Sequence, residues 1–234
     1  MAFVPENAPL VVLTFLATAL FVPVAGATFL FGWLTGRHRL AILALAATAM
    51  VAMSYGEVLL ALSLSSHERT LAAGDWKYFC EVDCHLAYRV ESVSTAKTLG
   101  PAAKPAATRG TFYIVALKTW FDERTISSRR PLNLALYPDP RALALVDVQG
   151  RVFELSEAGQ RALAAAGQSG TPLTRTLKPG ESYTTTLVFD LPDDARAPRL
   201  LLTTLDAPTY FLLGHENSFF HRKIYFQLPV TSAQ

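Results

Sequence analysis

The chain has 234 residues, of which 51% are hydrophobic, and 21 Lys and Arg stand against 19 Asp and Glu for a formal net charge of +2. That length accommodates one globular domain plus an anchor, and so even a charge balance argues against a nucleic-acid binder or a receptor for an acidic polymer. The apolar excess is local: residues 1–65 carry only Glu6, Arg37, Arg39 and Glu57 as formal charges.

Residues 8–34 are apolar apart from a few Thr, Gly and Pro. At about 1.5 Å per residue they exceed the roughly 30 Å of a bilayer's hydrocarbon core, which predicts a transmembrane helix. A cleaved signal peptide fits less well, because the leading MAFVPENAP has no Lys or Arg and the apolar run is too long. Pro23 is expected to kink this helix. A second apolar run, 40–64, follows after only Thr35-Gly36-Arg37-His38-Arg39, so the two helices are expected as an antiparallel hairpin. Arg37 and Arg39 in the turn place it on the cytoplasmic side by the positive-inside bias. The N-terminus and everything after Leu64 then face outward, which makes the chain a two-pass protein of a bacterial inner membrane with a periplasmic domain. Glu57 lies within the second helix, where a carboxylate is costly unless it is paired, protonated or interfacial. It is expected to make an intramembrane polar contact.

The expected domains are a hairpin over 1–66, a linker over 67–75 and an all-β region over 76–234. Trp33, Trp76 and Tyr78 read as membrane-boundary or core aromatics. From residue 85 the pattern alternates, with Leu86, Tyr88 and Val90 on a buried face and His85, Ala87, Arg89 and Glu91 on a polar one. Residues 92–110, rich in Ala, Pro, Thr and Lys, are expected as a loop. Residues 111–122, TFYIVALKTWFD, are β-branched and aromatic on both faces and predict a central strand.

Short strands are expected at 133–137, 142–148 and 151–155, with turns at Pro138-Asp139-Pro140 and Gln149-Gly150. The Ala-rich 156–166 predicts one helix capped by Ser156 and ended by Gly167. A turn at Leu177-Lys178-Pro179-Gly180-Glu181 leads into a strand over 182–190 with Tyr183, Leu187 and Phe189 on one face. Strands at 200–205 and 224–228 complete the set; the last is expected to bury Phe220, Ile224, Phe226 and Leu228 and to turn His221 and Tyr225 to the other face. About seven short strands with turns at these spacings argue for a two-sheet antiparallel sandwich.

The succession TFYIVALKTWFDERT, ALVDVQGRVFELS and LKPGESYTTTLVFDLP resembles bacterial cell-envelope Ig-like domains of unknown function, over about residues 111–192. The resemblance lies in turn chemistry: a hairpin with Asp and Gly, then a Leu-x-Pro-Gly-Glu turn entering a strand that ends Phe-Asp-x-Pro. It implies an Ig-like sandwich and says little about activity; the membrane hairpin and the cysteine-histidine stretch depart from that family. With the hairpin read from the apolar runs, the expected fold is an α+β membrane protein, a two-helix transmembrane hairpin followed by an all-β antiparallel Ig-like sandwich.

The stretch WKYFCEVDCHLAY holds both cysteines. Residues four apart in a straight strand are about 13 Å apart at Cα, against the roughly 4.4–6.8 Å of a disulfide, so Cys80 and Cys84 meet only if the segment is a loop. In an oxidising outward compartment a loop makes them a disulfide. The same proximity suits copper or zinc, with His85, His221 and His215 as further ligands. The thiolate spacing and the two-helix topology resemble those of cytochrome oxidase subunit two, and the spacing resembles copper-delivery proteins; that resemblance implies Cys80 and Cys84 as thiolate ligands of copper. If the first and last strands are neighbours, His85 and His221 converge at one edge. The chain has no Gly-x-Ser-x-Gly elbow, no glycine-rich phosphate loop and no Cys-x-x-Cys-His haem site. No catalytic residues are assigned and no cofactor is required. Two function classes stand: a non-enzymatic accessory subunit of a membrane complex, an electron-transfer assembly being one candidate, with the bilayer and other membrane subunits as partners, or a copper-binding or thiol-redox protein.

Overall fold

The structure, a computed structural model, describes residues 2–3, 8–79, 85–125, 131 and 133–228. Its contacts divide the chain into two compact units. One comprises residues 1–5, 68–205 and 223–234; the other comprises residues 6–67 and 206–222.

The second unit is built on two helices, α1 (Ala8–Leu34) and α2 (His38–Leu64), each of 27 residues. Both are long and apolar enough to cross a membrane. α1 runs through Pro23. Between them Gly36 adopts φ +70°, and a Cβ on Gly32 would lie 2.9 Å from the Ala41 nitrogen, so the turn closes only with glycine at that contact. The helices meet through small side chains, Ala25, Ala41 and Ala44, with Leu59 and Ser63 buried further along. Elsewhere Leu13, Leu20, Leu30, Ile42, Leu43, Met50 and Leu62 stay exposed. The threonine hydroxyls are satisfied within their own helix: Thr14 donates to the Leu10 carbonyl (2.8 Å), Thr28 to Val24 (2.9 Å) and Thr48 to Ala44 (2.8 Å). Apolar exteriors with internally satisfied polar groups are what a hydrocarbon solvent requires.

Among the described residues, the first unit holds ten strands: β1 (Ala2–Phe3), β2 (Arg69–Leu71), β3 (Trp76–Phe79), β4 (Leu86–Leu99), β5 (Ala106–Phe121), β6 (Arg141–Val146), β7 (Val152–Phe153), β8 (Ser182–Leu191), β9 (Arg199–Thr204) and β10 (Ile224–Gln227). They form two sheets, β1-β3-β4-β5-β8 and β2-β10-β9-β6-β7. All pairs are antiparallel except β1 with β3 and β2 with β10. The two parallel strands flank the helical hairpin in sequence, and each closes the edge of a different sheet. One core joins the sheets: Tyr88, Val115, Leu117, Leu187 and Phe189 from the first pack with Leu145, Leu200, Leu202 and Phe226 from the second. Lys77, almost fully buried, crosses between them and donates from Nζ to the Leu202 carbonyl (2.6 Å) and the Ile224 carbonyl (3.4 Å).

The layout is therefore two long apolar helices followed by antiparallel-rich sheets. β5 is central, between β4 and β8, and buries Phe112, Val115, Leu117, Thr119 and Phe121. The helix α3 (Glu157–Ala165) is capped as its sequence predicts: Gly159 N donates to Ser156 Oγ at 3.2 Å, and Gly167 follows at φ +69°.

Several expectations are corrected. Of residues 92–110 only 100–105 form a loop, and the rest is strand. β4 continues to Leu99 and pairs with β5 from Leu86↔Phe121 through Leu99↔Ala106, with irregularities between Val90 and Ser92 and between Ala96 and Thr98. The far end of this hairpin is sheltered by α3, in a second cluster of Leu99, Phe112, Ala162, Leu163 and Val188. The linker contains β2, which forms only by pairing with β10. Of residues 133–137, Leu136 alone makes a bridge, to Leu177. β10 begins at Ile224; Tyr225, expected on the polar face, is buried, and Phe220, expected in the core, is 71% exposed.

Candidate functional site

The stretch around the two cysteines remains the place to look for chemistry. Cys80 and Cys84 lie outside the described residues. Their flanks are described: β3 and β4 pair antiparallel with Phe79 opposite Leu86. Residues opposite one another in such a ladder are about 4.5–5.5 Å apart at Cα, so the chain leaves and re-enters the sheet at neighbouring points.

At that point the sheet carries a compact polar group. Asp122, the first residue after β5, is 1% exposed. It accepts from the Tyr78 hydroxyl (2.6 Å), from Arg124 Nε (2.9 Å) and Nη2 (2.9 Å), and from the Arg124 amide (3.0 Å). Its own amide donates to the His85 carbonyl at 2.8 Å. The Arg124 guanidinium, with the Tyr78 hydroxyl, holds the Asp122 carboxyl below the usual carboxylate range, and the same pairing raises Arg124. Burial, and then the bond to Asp122, pushes the Tyr78 phenol up to about 12.

Aromatic side chains cover this group. Trp76 and Trp120 are 5.1 Å apart at their centroids, Arg89 sits over Trp76 (4.6 Å) and Arg124 over Trp120 (5.2 Å). The expectation for His85 is corrected as well. It is not on a solvated polar face but 7% exposed, against Phe121 at 4.7 Å between centroids, and its neighbour on that face, Ala87, is fully buried. The alternation of β4 was legible, but its outer face carries Trp120 opposite Ala87, and pattern alone cannot say that large rings will lie over that face.

Further along the same face, Glu91 takes bonds from Arg89 Nη2 (3.3 Å) and Thr184 Oγ1 (2.9 Å), and an ion pair from Lys118 (3.4 Å). Burial raises its carboxyl, but these donors together hold it below the usual range. The described residues also leave a surface hollow of about 280 Å³ lined by Arg175, Thr176, Leu177, Glu181, Ser182 and Tyr183, at the lower limit of what a small-molecule site needs.

Chemically, the Tyr78–Asp122–Arg124 group is a clamp. At neutral pH the phenol is neutral, and both oxygens of the ionised carboxylate are already occupied, so neither is poised as a general base. Its effect is to tie the ends of β3 and β5 together beside the cysteine segment. The sequence reading did not single out Asp122 or Arg124. The available signal was Phe-Asp-Glu-Arg at the end of a strand, where Asp caps the turn that follows; Glu123–Thr125 form a 3-10 turn.

The remaining expected residues are dispersed. His85 belongs to the unit with the sheets, whereas Glu57, His215 and His221 belong to the unit with the helices. β4 and β10 are in different sheets, so the condition on which His85 and His221 would converge, neighbouring first and last strands, is not met. Before β10 begins, His221 Nδ1 contacts the Arg222 carbonyl at 2.7 Å, and His215 Nδ1 accepts from the Asn217 amide at 3.0 Å. Glu57 is exposed on α2. Among the described residues, no three His, Cys, Asp or Glu side chains come together as a metal site.

No family model and no curated protein matches the chain. Among solved structures it is similar to a conserved hypothetical protein from Bacillus anthracis, at 14% identity and TM-score 0.38, over 51% of this chain and 81% of that one. It is also similar to a secreted protein from Mycobacterium tuberculosis, at 11% identity and TM-score 0.41, over 70% of this chain and 99% of that one.

Proposed function

We propose that this chain is a membrane-anchored, extracytoplasmic Ig-like module that serves as a non-catalytic docking or accessory subunit. The observation that carries the reading is the pairing of β1 with β3. The residue pair before α1 is hydrogen-bonded to β3, a strand after α2, so both ends of the hairpin lead back to one sheet. That is the connectivity of a two-pass anchor. Arg37 in the turn and Arg39 in the first turn of α2 support, through the positive-inside bias, a cytoplasmic turn and an outward sheet unit. The exposed apolar surfaces of α1 and α2 are available to lipid and to the helices of partner subunits. In the sheets, Tyr78, Asp122 and Arg124 beside the cysteine segment are consumed in a clamp, which suits a scaffold better than an active site.

Within this reading Cys80 and Cys84 form a disulfide, supported by the pairing of the strands on either side and by the oxidising compartment. Two measurements test the proposal. Protease added outside intact spheroplasts should degrade the sheet unit and spare an epitope tag inserted in the 35–37 turn; the opposite protection pattern would refute the orientation. Thiol titration of denatured, unreduced protein should find no free thiol, and two after reduction; free thiols before reduction would remove the disulfide from the proposal.

A further inference from the structure

The segment between β9 and β10, residues 206–222, groups with α1 and α2 and not with the strands it connects. Its composition is turned inside out. Thr209, Glu216, Asn217 and Ser218 are buried, while Tyr210, Phe211, Phe219 and Phe220 are 43%, 49%, 47% and 71% exposed. Local bonds hold the polar residues inward: Asn217 Nδ2 donates to Thr209 Oγ1 (3.2 Å), Ser218 Oγ donates to the Leu212 carbonyl, and the Ser218 amide donates to the His215 carbonyl (2.9 Å). The rings form one group outside. Phe219 stacks on Tyr210 at 5.7 Å and meets Phe211 edge-on at 5.6 Å. Phe220 adopts φ +65°, a conformation uncommon for a residue with a side chain, and it presents the most exposed ring of the four.

The segment is fastened to α2 at a definite level. The Tyr55 hydroxyl donates to the Phe211 carbonyl at 2.6 Å, and the Arg222 amide donates to Ser66 Oγ at 2.8 Å. α2 spans about 40 Å, some 10 Å more than a hydrocarbon core. Counted from His38 beside the charged turn, roughly 20 residues cross the core, which brings the far boundary to about Glu57. Tyr55 and Glu57 therefore mark the boundary, and the aromatic segment is bonded to the helix there.

We propose that Tyr210, Phe211, Phe219 and Phe220 form an interfacial anchor that inserts into the headgroup and upper acyl region of the bilayer, a third membrane contact beyond the two helices. Aromatic rings concentrate at this level of a bilayer, where their apolar bodies leave water. The same registry makes Glu57 an interfacial carboxylate, clear of the hydrocarbon. The inference rests on the reading of the hairpin as membrane-spanning.

The test uses the full chain in nanodiscs of phosphatidylcholine and phosphatidylglycerol. A benzophenone analogue of phenylalanine replaces Phe219 or Phe220, with Met50 on the exposed face of α2 as the lipid reference and His67, three residues past the helix end, as the water reference. Lipid adducts are read by mass spectrometry after irradiation. Adducts at 219 and 220 several-fold above the His67 level and comparable to Met50 are expected. Labelling of Met50 with only background lipid at 219 and 220, or adducts there to protein, whether this chain, a second copy or a co-purifying subunit, would overturn the anchor while leaving the hairpin in the membrane. Background labelling at Met50 itself would overturn the spanning hairpin, and the anchor with it.

Discussion

Replacing Asp122 with alanine removes the acceptor that closes the clamp beside the cysteine segment. The Tyr78 hydroxyl, in a side chain 5% exposed, loses its 2.6 Å partner, and an orphaned buried donor costs about 1–3 kcal/mol. The Asx bond to the Arg124 amide adds about 0.5–1.5 kcal/mol. The ion pair adds little, because the Arg124 side chain is 72% exposed and solvent screens it. A total loss of about 2–4 kcal/mol is expected for Asp122→Ala. Tyr78→Phe removes the donor that Asp122→Ala orphans, so the double variant should be more stable than additivity predicts by about 1–2 kcal/mol. Urea unfolding of the full chain in detergent micelles, followed by tryptophan fluorescence, reads both quantities, since Trp76 and Trp120 lie over this group. A loss below about 1 kcal/mol for Asp122→Ala, or additivity within about 0.5 kcal/mol, would refute the account of the clamp.

The clamp also has a pH signature. Asp122 is depressed when folded, so its stabilisation is complete above the ordinary carboxylate range near about 4 and is lost as pH falls through the lower folded value; Asp122→Asn should flatten that acid limb of the stability curve. Tyr78 is raised to about 12, so its contribution is complete below about 10 and fades as pH rises towards the folded value. In ultraviolet titration its late phenolate signal should move down in Asp122→Asn. Gly110→Ala places a Cβ 1.9 Å from the Leu191 carbonyl oxygen; with backbone on both sides of the clash, a melting scan should show a loss of at least about 1–3 kcal/mol. Ser156→Ala removes the cap of α3 and should cost about 1 kcal/mol in the same assay, with Ser156→Asp restoring most of it.

The sequence by itself determined whatever is encoded in neighbouring residues. Two apolar runs around Arg37 and Arg39 made the helices visible, because nothing but a helix satisfies so long an apolar backbone in hydrocarbon. Ser156 and Gly167 bracketed α3 through a side-chain acceptor and a left-handed stop, and the β-branched and aromatic run of β5 read correctly as central because it is covered on both sides. What only the tertiary structure decided depends on partners distant in the chain. Residues 92–99 look like a loop, since their small polar side chains carry little strand preference; they become strand because β5 supplies a ladder and α3 covers Leu99. β2 exists through β10. His85 is buried because its ring packs on Phe121 at the end of β5, and the Asp122 clamp forms because β3 and β5 end at the same place. Phe220 shows the converse: alternation assigned it to the core, but the segment before β10 is fastened to α2 and turns its rings outward. Periodicity specifies which side chains share a face; only the packing of one element on another decides whether that face meets core, water or lipid.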